Sequence, residues 1–294
     1  MESKTLQALS TRSRFTLWLK HYQLLSFFVL TYGVTWGGWF LLLALQSGLL
    51  PFRLDPDSLA GTLLFRLSGW GPAIAAVVLT ALIGGKQGLR EFFSRFVSWR
   101  VGPGWYATAL FSFLVITLVV LALSPQLIGT HPSSPYMSSW YSPILLFLPG
   151  VLVATAKAAL PEEPGWRGYA LPRLLSRYNA LLAGVLLGLI WGVWHLPIYI
   201  LTADSLVNFL LLVAQATGLS ILITWVYLHT KGSILISILF HGAIDSAWVI
   251  ILYDSSLVQV NMLLTGVIWA AVIIVLAIFG PQLSRQRREG RVPA

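Results

Sequence analysis

Long uncharged apolar runs of about 20 residues recur along the whole chain and are separated by short polar segments. A helix of that length crosses the hydrocarbon core of a bilayer. The first run is too long for a signal-peptide core and ends in no small-residue cleavage site, so we expect it to be retained. We predict about eight transmembrane helices, at residues 24–45, 59–83, 105–123, 144–160, 180–200, 206–228, 233–252 and 257–279.

Lysine and arginine concentrate in alternate polar segments of this pattern. They lie in the N-terminal segment, in residues 86–100, in residues 167–177, at position 231 and in the C-terminal segment. Apart from Arg53, which has two aspartates beside it, the other loops contain no lysine or arginine. Because positive residues concentrate in cytoplasmic loops, this alternation places both termini in the cytoplasm.

A further helix is predicted between the second and third spans, at residues 86–99. Leu89, Phe92, Phe93 and Phe96 share one helical face there, beside basic residues, which is typical of an amphipathic helix in the cytoplasmic interface. The predicted organisation is therefore a basic N-terminus at 1–23, a transmembrane domain at 24–280 and a basic tail at 281–294.

Composition supports an all-α polytopic membrane helix bundle. The chain of 294 residues is 57% hydrophobic and only 10% charged, and its net charge is +9. That charge could suggest nucleic-acid binding, but the basic residues follow the alternate loops, so we predict a lipid bilayer as partner and no nucleic acid. The absence of cysteine excludes disulfides, a thiol nucleophile and a thiolate metal site.

The most unusual polar cluster follows the fourth apolar run, where Glu162 and Glu163 precede Arg167. Glu163 and Arg167 are four residues apart and would pair on a helix, which would leave Glu162 free as a base. Pro161 and Pro164 count against an undistorted helix at this point. A simpler interpretation is a cluster of interfacial charges that closes a helix.

Two further clusters place polar side chains four residues apart within apolar spans. Trp191 and His195 share a helical face in the fifth span, and His241 and Asp245 share one in the seventh. Each has a structural alternative, namely a packed histidine or a His–Asp hydrogen bond between helices. Burying unpaired ionisable groups in a membrane is costly, so the three clusters together predict one polar site inside the bundle.

Two common classes of hydrolytic site do not fit this chain. No His-Glu-x-x-His pattern of zinc proteases is present. Ser246 lacks the Gly-x-Ser-x-Gly context of a serine nucleophile, and no other serine and histidine form an evident pair.

The three clusters resemble the motifs of the CAAX-protease and bacteriocin-processing family, which includes the type II CAAX prenyl endopeptidases. The family pattern is Glu-Glu-x-x-x-Arg, then an aromatic residue, usually Phe, with His four residues later, and then His-x-x-x-Asn or Asp. The resemblance covers residues 60–250, with a motif core at 140–250, and Trp191 replaces the usual Phe. The matching residues are Glu162, Glu163 and Arg167, then Trp191 and His195, then His241 and Asp245.

The resemblance implies a multi-pass intramembrane endopeptidase, with the bacterial plasma membrane as the expected location. Its substrate would be a hydrophobic or lipidated peptide in the membrane, cut near its C terminus or its membrane anchor. By this resemblance, Glu162 and His195 activate the attacking water, while His241 and Asp245 stabilise the oxyanion. The resemblance assigns supporting positions to Glu163, Arg167 and Trp191.

Asp245 raises a chemical question, because an ionised carboxylate would repel the oxyanion that an asparagine amide would stabilise. Asp245 would have to be protonated, or orient His241, or join Glu162, His195 and His241 in holding Zn²⁺. The expected cofactor is therefore none or Zn²⁺, and we favour the metal-free mechanism.

Two points remain open at the level of sequence. The same polar cavity would also suit a transporter, a bacteriocin-immunity factor or a scaffold without proteolysis, or a proton relay. By residue counting, Glu162 lies near the inner interface, while His241 and His195 lie about 13 Å and 22 Å deep. These residues meet only if the spans are displaced or if Pro161–Gly165 dips inward.

Overall fold

All regular secondary structure in the part of the chain that the structure describes is helical. The computed structural model describes residues 14–130, 132, 136, 142–202, 204–251 and 257–284. Seven helical segments in these ranges are long and apolar enough to cross a membrane, which confirms the all-α, multi-pass membrane fold. The predicted sidedness, the domain bounds and the bacterial location stay predictions.

Several charges used in the topology prediction lie outside the described residues. They are Lys4 and Arg12 of the N-terminal segment, Asp254 of the predicted last outer loop, and Arg285, Arg287, Arg288 and Arg291 of the tail.

The helices follow the predicted order, with two changes described below. Their bounds are α1 (Gln23–Ser47), α2 (Leu59–Ser68), α3 (Gly71–Ser94), α4 (Pro103–Ile128), α5 (Ser142–Ala154), α6 (Leu160–Gly165), α7 (Leu171–Leu175), α8 (Ala180–Trp194), α9 (Leu196–Leu201), α10 (Leu206–His229), α11 (Ile234–Ile251) and α12 (Val258–Phe279). The predicted seventh span is α11, whose apolar part is shorter than the other seven spans.

The predicted second span is interrupted rather than continuous. Helix α2 ends at Ser68, and α3 begins at Gly71 with Pro72 in its first turn, where the missing N–H of proline costs no hydrogen bond. Helix α3 then continues to Ser94 through a bend at Gly85, whose φ of 59° favours glycine. The predicted amphipathic helix is therefore largely the second half of α3 and not a separate element.

The predicted end of the fourth span at residue 160 was wrong. Helices α5, α6 and α7 form one helical segment joined by two π-helical turns, π1 (Thr155–Ala159) and π2 (Trp166–Ala170). The segment includes a candidate span of 31 residues from Leu145 to Leu175. Arg167, which the topology prediction counted as a cytoplasmic loop charge, is fully buried within it.

Each π turn is followed by a leucine and then by a proline. The N–H of Leu160 donates to the carbonyl of Thr155, and the N–H of Leu171 donates to the carbonyl of Trp166, so each bond spans five residues. Proline follows at the next position in both places. Because a proline ring clashes with the carbonyl four residues earlier in an α-helix, the wider turn lets the helical path continue.

Close packing holds this segment in the bundle. Helix α6 packs on α3, and α11 packs against α4, α5, π1 and α6. Gly165 makes the first contact possible, because a Cβ at this position would lie 2.6 Å from the backbone carbonyl carbon and oxygen of Pro72. The two adjacent glutamates of α6 are thereby enclosed by neighbouring helices.

Candidate active site

Glu162 and Glu163 lie on α6, in the middle of the long helical segment, and both are buried. Successive residues of a helix point about 100° apart, so the two carboxylates face different neighbours. By residue counting, Glu162 was expected near the inner interface and the two histidines deeper in the membrane. Because the helix continues to Leu175, the glutamates do not lie at a helix end, and this difference in depth no longer arises.

Glu163 pairs with two neighbouring side chains, Arg167 and His241. Its Oε1 accepts a 2.8 Å hydrogen bond from Nη1 of Arg167, and both side chains are fully buried. The predicted pair between these residues is therefore present. The same Oε1 lies 2.8 Å from Nδ1 of His241. Because a carboxylate paired with arginine only accepts, Nδ1 of His241 donates this bond.

Glu162 is held by two tryptophans. Oε2 accepts hydrogen bonds from the indole nitrogen of Trp191 at 2.6 Å and from that of Trp166 at 3.3 Å. Both bonds go to the same oxygen, which leaves Oε1 for another ligand. Sequence reasoning did not select Trp166 as a site residue, although its spacing of four from Glu162 matches that of Glu163 and Arg167.

His195 lies at the junction of α8 and α9, where Pro197 in the first turn of α9 accompanies the change of helix. Its Nδ1 lies 2.9 Å from the carbonyl oxygen of Trp191. A carbonyl can only accept, so Nδ1 donates, and Nε2 of the neutral ring is left as an acceptor. The ring of Trp194 packs edge-on against the imidazole, with 4.8 Å between ring centroids.

His241 and Asp245 face each other on α11, as their spacing predicts. His241 Nε2 and Asp245 Oδ2 are 3.7 Å apart, which is too long for a hydrogen bond but within ion-pair range. The Asp245 side chain is 34% exposed, whereas that of His241 is 4% exposed. Asp245 is therefore the more open of the two to the cavity beside it.

A cavity of about 730 Å³ brings the predicted residues together. Glu162, Trp191, His195, His241 and Asp245 all contribute to its wall, while Glu163 and Arg167 lie behind it. Much of the remaining wall is apolar, from residues such as Trp39, Phe65, Leu219 and Trp248. The cavity can therefore accommodate an apolar chain next to titratable groups.

The four predicted zinc ligands are not grouped as a metal site in this arrangement. No group of three histidine, aspartate or glutamate side chains in the described ranges has the spacing needed to hold a metal ion. Glu162 keeps Oε1, and both His195 and His241 keep Nε2, so the choice between no cofactor and Zn²⁺ stays a prediction. The steps proposed below follow the metal-free alternative.

Comparisons with known proteins agree with this geometry. The family model described as Type II CAAX prenyl endopeptidase Rce1-like matches residues 143–247, a segment that contains every predicted site residue. A relative named CAAX prenyl protease 2, from Methanococcus maripaludis, is 27% identical over 265 residues, which cover 85% of this chain and 91% of the relative. With its three motifs gathered at one cavity in a membrane bundle, the chain is similar to the type II CAAX prenyl endopeptidases, and this similarity supports a protease embedded in the membrane.

Proposed function

We propose that this endopeptidase hydrolyses a peptide bond inside the membrane with a water molecule activated by Glu162 and His195. The observation that carries the proposal is the shared cavity, where a buried glutamate and two histidines meet an apolar wall. Peptide hydrolysis needs a base for the water and donors for the developing negative charge, and this cavity offers candidates for both.

Glu162 is the proposed base. Its Oε2 is fixed by the two indole donors, so Oε1 can accept a proton from water at a defined position. His195 presents Nε2 as a second acceptor because its Nδ1 is engaged by the carbonyl of Trp191. In the proposed step, the water oxygen bonds to the peptide carbonyl carbon as its proton passes to Glu162.

His241 is the proposed oxyanion donor. Glu163 fixes the ring through Nδ1, which directs Nε2 towards Asp245 and the cavity. A proton on Nε2 would donate to the tetrahedral oxyanion. Of the three arrangements open for Asp245, we propose that it orients His241, because it lies on the Nε2 side at 3.7 Å. The proton on Glu162 then passes to the amide nitrogen as the C–N bond breaks.

The proposed substrate is a hydrophobic or lipidated peptide that is anchored in the membrane. Support comes from the aromatic and aliphatic wall of the cavity and from the relative whose name is CAAX prenyl protease 2. A bond near the C terminus or the membrane anchor of such a peptide would be cut.

The test is Glu162→Gln in purified protein, assayed with lipidated and unmodified membrane-anchored peptides. The amide cannot accept the proton, so we expect cleavage to fall by at least about 10²-fold. Asp57→Asn, at an exposed loop carboxylate, is the matched control and should cleave normally. Size-exclusion chromatography and thermal unfolding check the fold of both variants.

Unchanged cleavage by a folded Glu162→Gln variant would overturn this mechanism. A transporter, immunity factor, scaffold or proton relay predicts no cleavage by the unmodified protein with any peptide of the panel. Such a result would reject proteolysis under these conditions and favour a binding or transport role for the cavity.

A further inference from the structure

A second cavity, separate from the candidate active site, lies beside the bend of α3 at Gly85. Its volume is about 360 Å³, and its wall shares no residue with that of the larger cavity. Gly84, Gly88 and Phe92 form part of the wall, and the charged residues there are Glu91, Arg95 and Arg173. The site assigned to proteolysis does not use these residues.

The two arginines are fixed by neutral acceptors. Arg95 donates to the carbonyl of Gly168 at 2.7 Å, and Arg173 donates to the carbonyl of Tyr169 at 2.8 Å and to Oε1 of Gln23 at 2.7 Å. Each guanidinium carries five N–H donors, so donors remain on both after these bonds. Both side chains are therefore held in position with hydrogen-bonding capacity left over.

The charges of the arginines are not neutralised by a paired carboxylate. Within the described ranges, neither Arg95 nor Arg173 has a carboxylate oxygen within 4.0 Å. The two guanidinium groups also lie near enough to repel each other electrostatically. Two partly buried positive charges side by side are unfavourable unless an anion joins them.

Glu91 is the acidic residue of this wall, and its single negative charge does not neutralise the two arginines. It accepts a 3.0 Å hydrogen bond from Gln87 and is exposed. The wall thus carries two positive charges against one negative charge. Glu91 should weaken the binding of an anion, which makes it useful as a test.

We propose that this cavity binds a phosphate group, carried by an anionic lipid headgroup or present as free phosphate. Guanidinium groups match phosphate oxygens in geometry and charge, and two of them converge here. The missing side chains of Gly84 and Gly88 leave room for the group. The positive-inside pattern predicts that this end of the bundle faces the cytoplasm, where anionic lipids are available.

A bound phosphate would also act on the helical segment of the active site. Gly168 and Tyr169, whose carbonyls the arginines hold, belong to π2, the turn that contains Arg167. Binding would fix the arginines and with them this turn. Binding should therefore raise the unfolding temperature, whether or not the chain cleaves peptides.

The experiment uses the full chain in phosphatidylcholine nanodiscs. One arm titrates inorganic phosphate by calorimetry, and the other replaces part of the lipid with phosphatidylglycerol and measures bound lipid by native mass spectrometry. Saturable binding in the first arm identifies free phosphate as a ligand. Binding in the second arm alone identifies a lipid headgroup.

Removing a positive charge and removing a negative charge should change the affinity for phosphate in opposite directions. Arg173→Gln should weaken binding at least about tenfold, because a charge-assisted hydrogen bond is lost. Glu91→Gln should tighten binding by several-fold, since it removes a nearby negative charge. Arg177→Gln, an exposed residue outside the cavity, removes the same charge as Arg173→Gln and should bind like the wild type.

Arg173→Gln also breaks two hydrogen bonds within the protein, so a steric variant supports the test. A Cβ at Gly84 meets no other atom within 4 Å, so Gly84→Leu should fold and fill the cavity without changing any charge. It should abolish binding. No saturable binding in either arm, or equal binding by wild type, Glu91→Gln and Gly84→Leu, would overturn the proposal.

Discussion

The indole nitrogen of Trp191 lies 2.6 Å from Oε2 of Glu162, which makes the tryptophan a hydrogen-bond donor to the proposed base. The backbone carbonyl of Trp191 accepts a hydrogen bond from His195. The guanidinium carbon of Arg167 lies over the Trp191 ring, 4.7 Å from the ring centroid. The same ring also packs edge-on against His241, with 5.3 Å between ring centroids. One side chain thus links all three motif clusters.

We expect Trp191→Phe to lower kcat by roughly 10- to 100-fold and to change KM little. Phenylalanine keeps an aromatic wall but removes a donor to a carboxylate, a loss of about 1.5–3 kcal/mol. Steady-state cleavage of a membrane peptide measures both constants. We therefore predict that tryptophan at the usual phenylalanine position has a positioning role in this chain, beyond that of an apolar wall.

Trp269→Phe is the matched control for this prediction. Its indole donates a 3.1 Å hydrogen bond to the carbonyl of Ala214, away from the cavity. It should lose some stability and retain kcat. Equal kcat values for Trp191→Phe and the wild type would contradict the positioning role.

Helical spacing alone predicted two contacts of the site. Glu163 pairs with Arg167, and His241 faces Asp245, because each pair is four residues apart on a helix. The same spacing placed Trp191 and His195 on one face, and the three clusters together predicted one polar site, which corresponds to the common cavity.

The sequence could not place the end of the fourth span. Two prolines and three charges between residues 161 and 167 have the local pattern of a loop, whereas burial against α3 and α11 and the two wide turns keep the segment helical. The contact from Trp166 to Glu162 depends on that continued helix, so it was missed. Tertiary packing here overrides the local signals.

Neutralising only one partner of the buried Glu163–Arg167 ion pair should destabilise the protein more than replacing both partners with uncharged residues. Glu163→Gln would leave Arg167 as a buried charge whose Nε and Nη2 already have no hydrogen-bond partner in the described chain. We expect a loss of about 3–5 kcal/mol in the free energy of unfolding. Thermal or denaturant unfolding in a fixed detergent measures the change.

The double variant Glu163→Gln with Arg167→Met provides the comparison. The amide oxygen of the new glutamine can still accept a hydrogen bond from His241, and no unpaired charge stays buried. The double variant should therefore regain a large part of the unfolding free energy that Glu163→Gln loses. If the double variant is less stable than Glu163→Gln alone, the ion pair is not the source of the penalty.

Gly165→Ala should impair both folding and cleavage. Its Cβ would lie 2.6 Å from backbone atoms of Pro72, so α6 must move away from α3. We expect a destabilisation of about 1–3 kcal/mol. A shift of about 1 Å in Glu162 should lower kcat about 10²-fold. Gly37→Ala is the control, because its Cβ meets nothing within 4 Å, and it should be neutral or stabilising.

Chelation should leave cleavage unchanged, because the proposed step uses Glu162 as the base and no metal-bound water. Among the described residues, no three histidine, aspartate or glutamate side chains are grouped as metal ligands would be. The measurement is kcat/KM before and after prolonged treatment with EDTA and 1,10-phenanthroline, alongside a zinc protease that cleaves the same peptide as a positive control. Loss of activity that added Zn²⁺ restores would require Glu162, His195, His241 and Asp245 to rearrange around a metal, and would replace the glutamate mechanism with a metal-bound water.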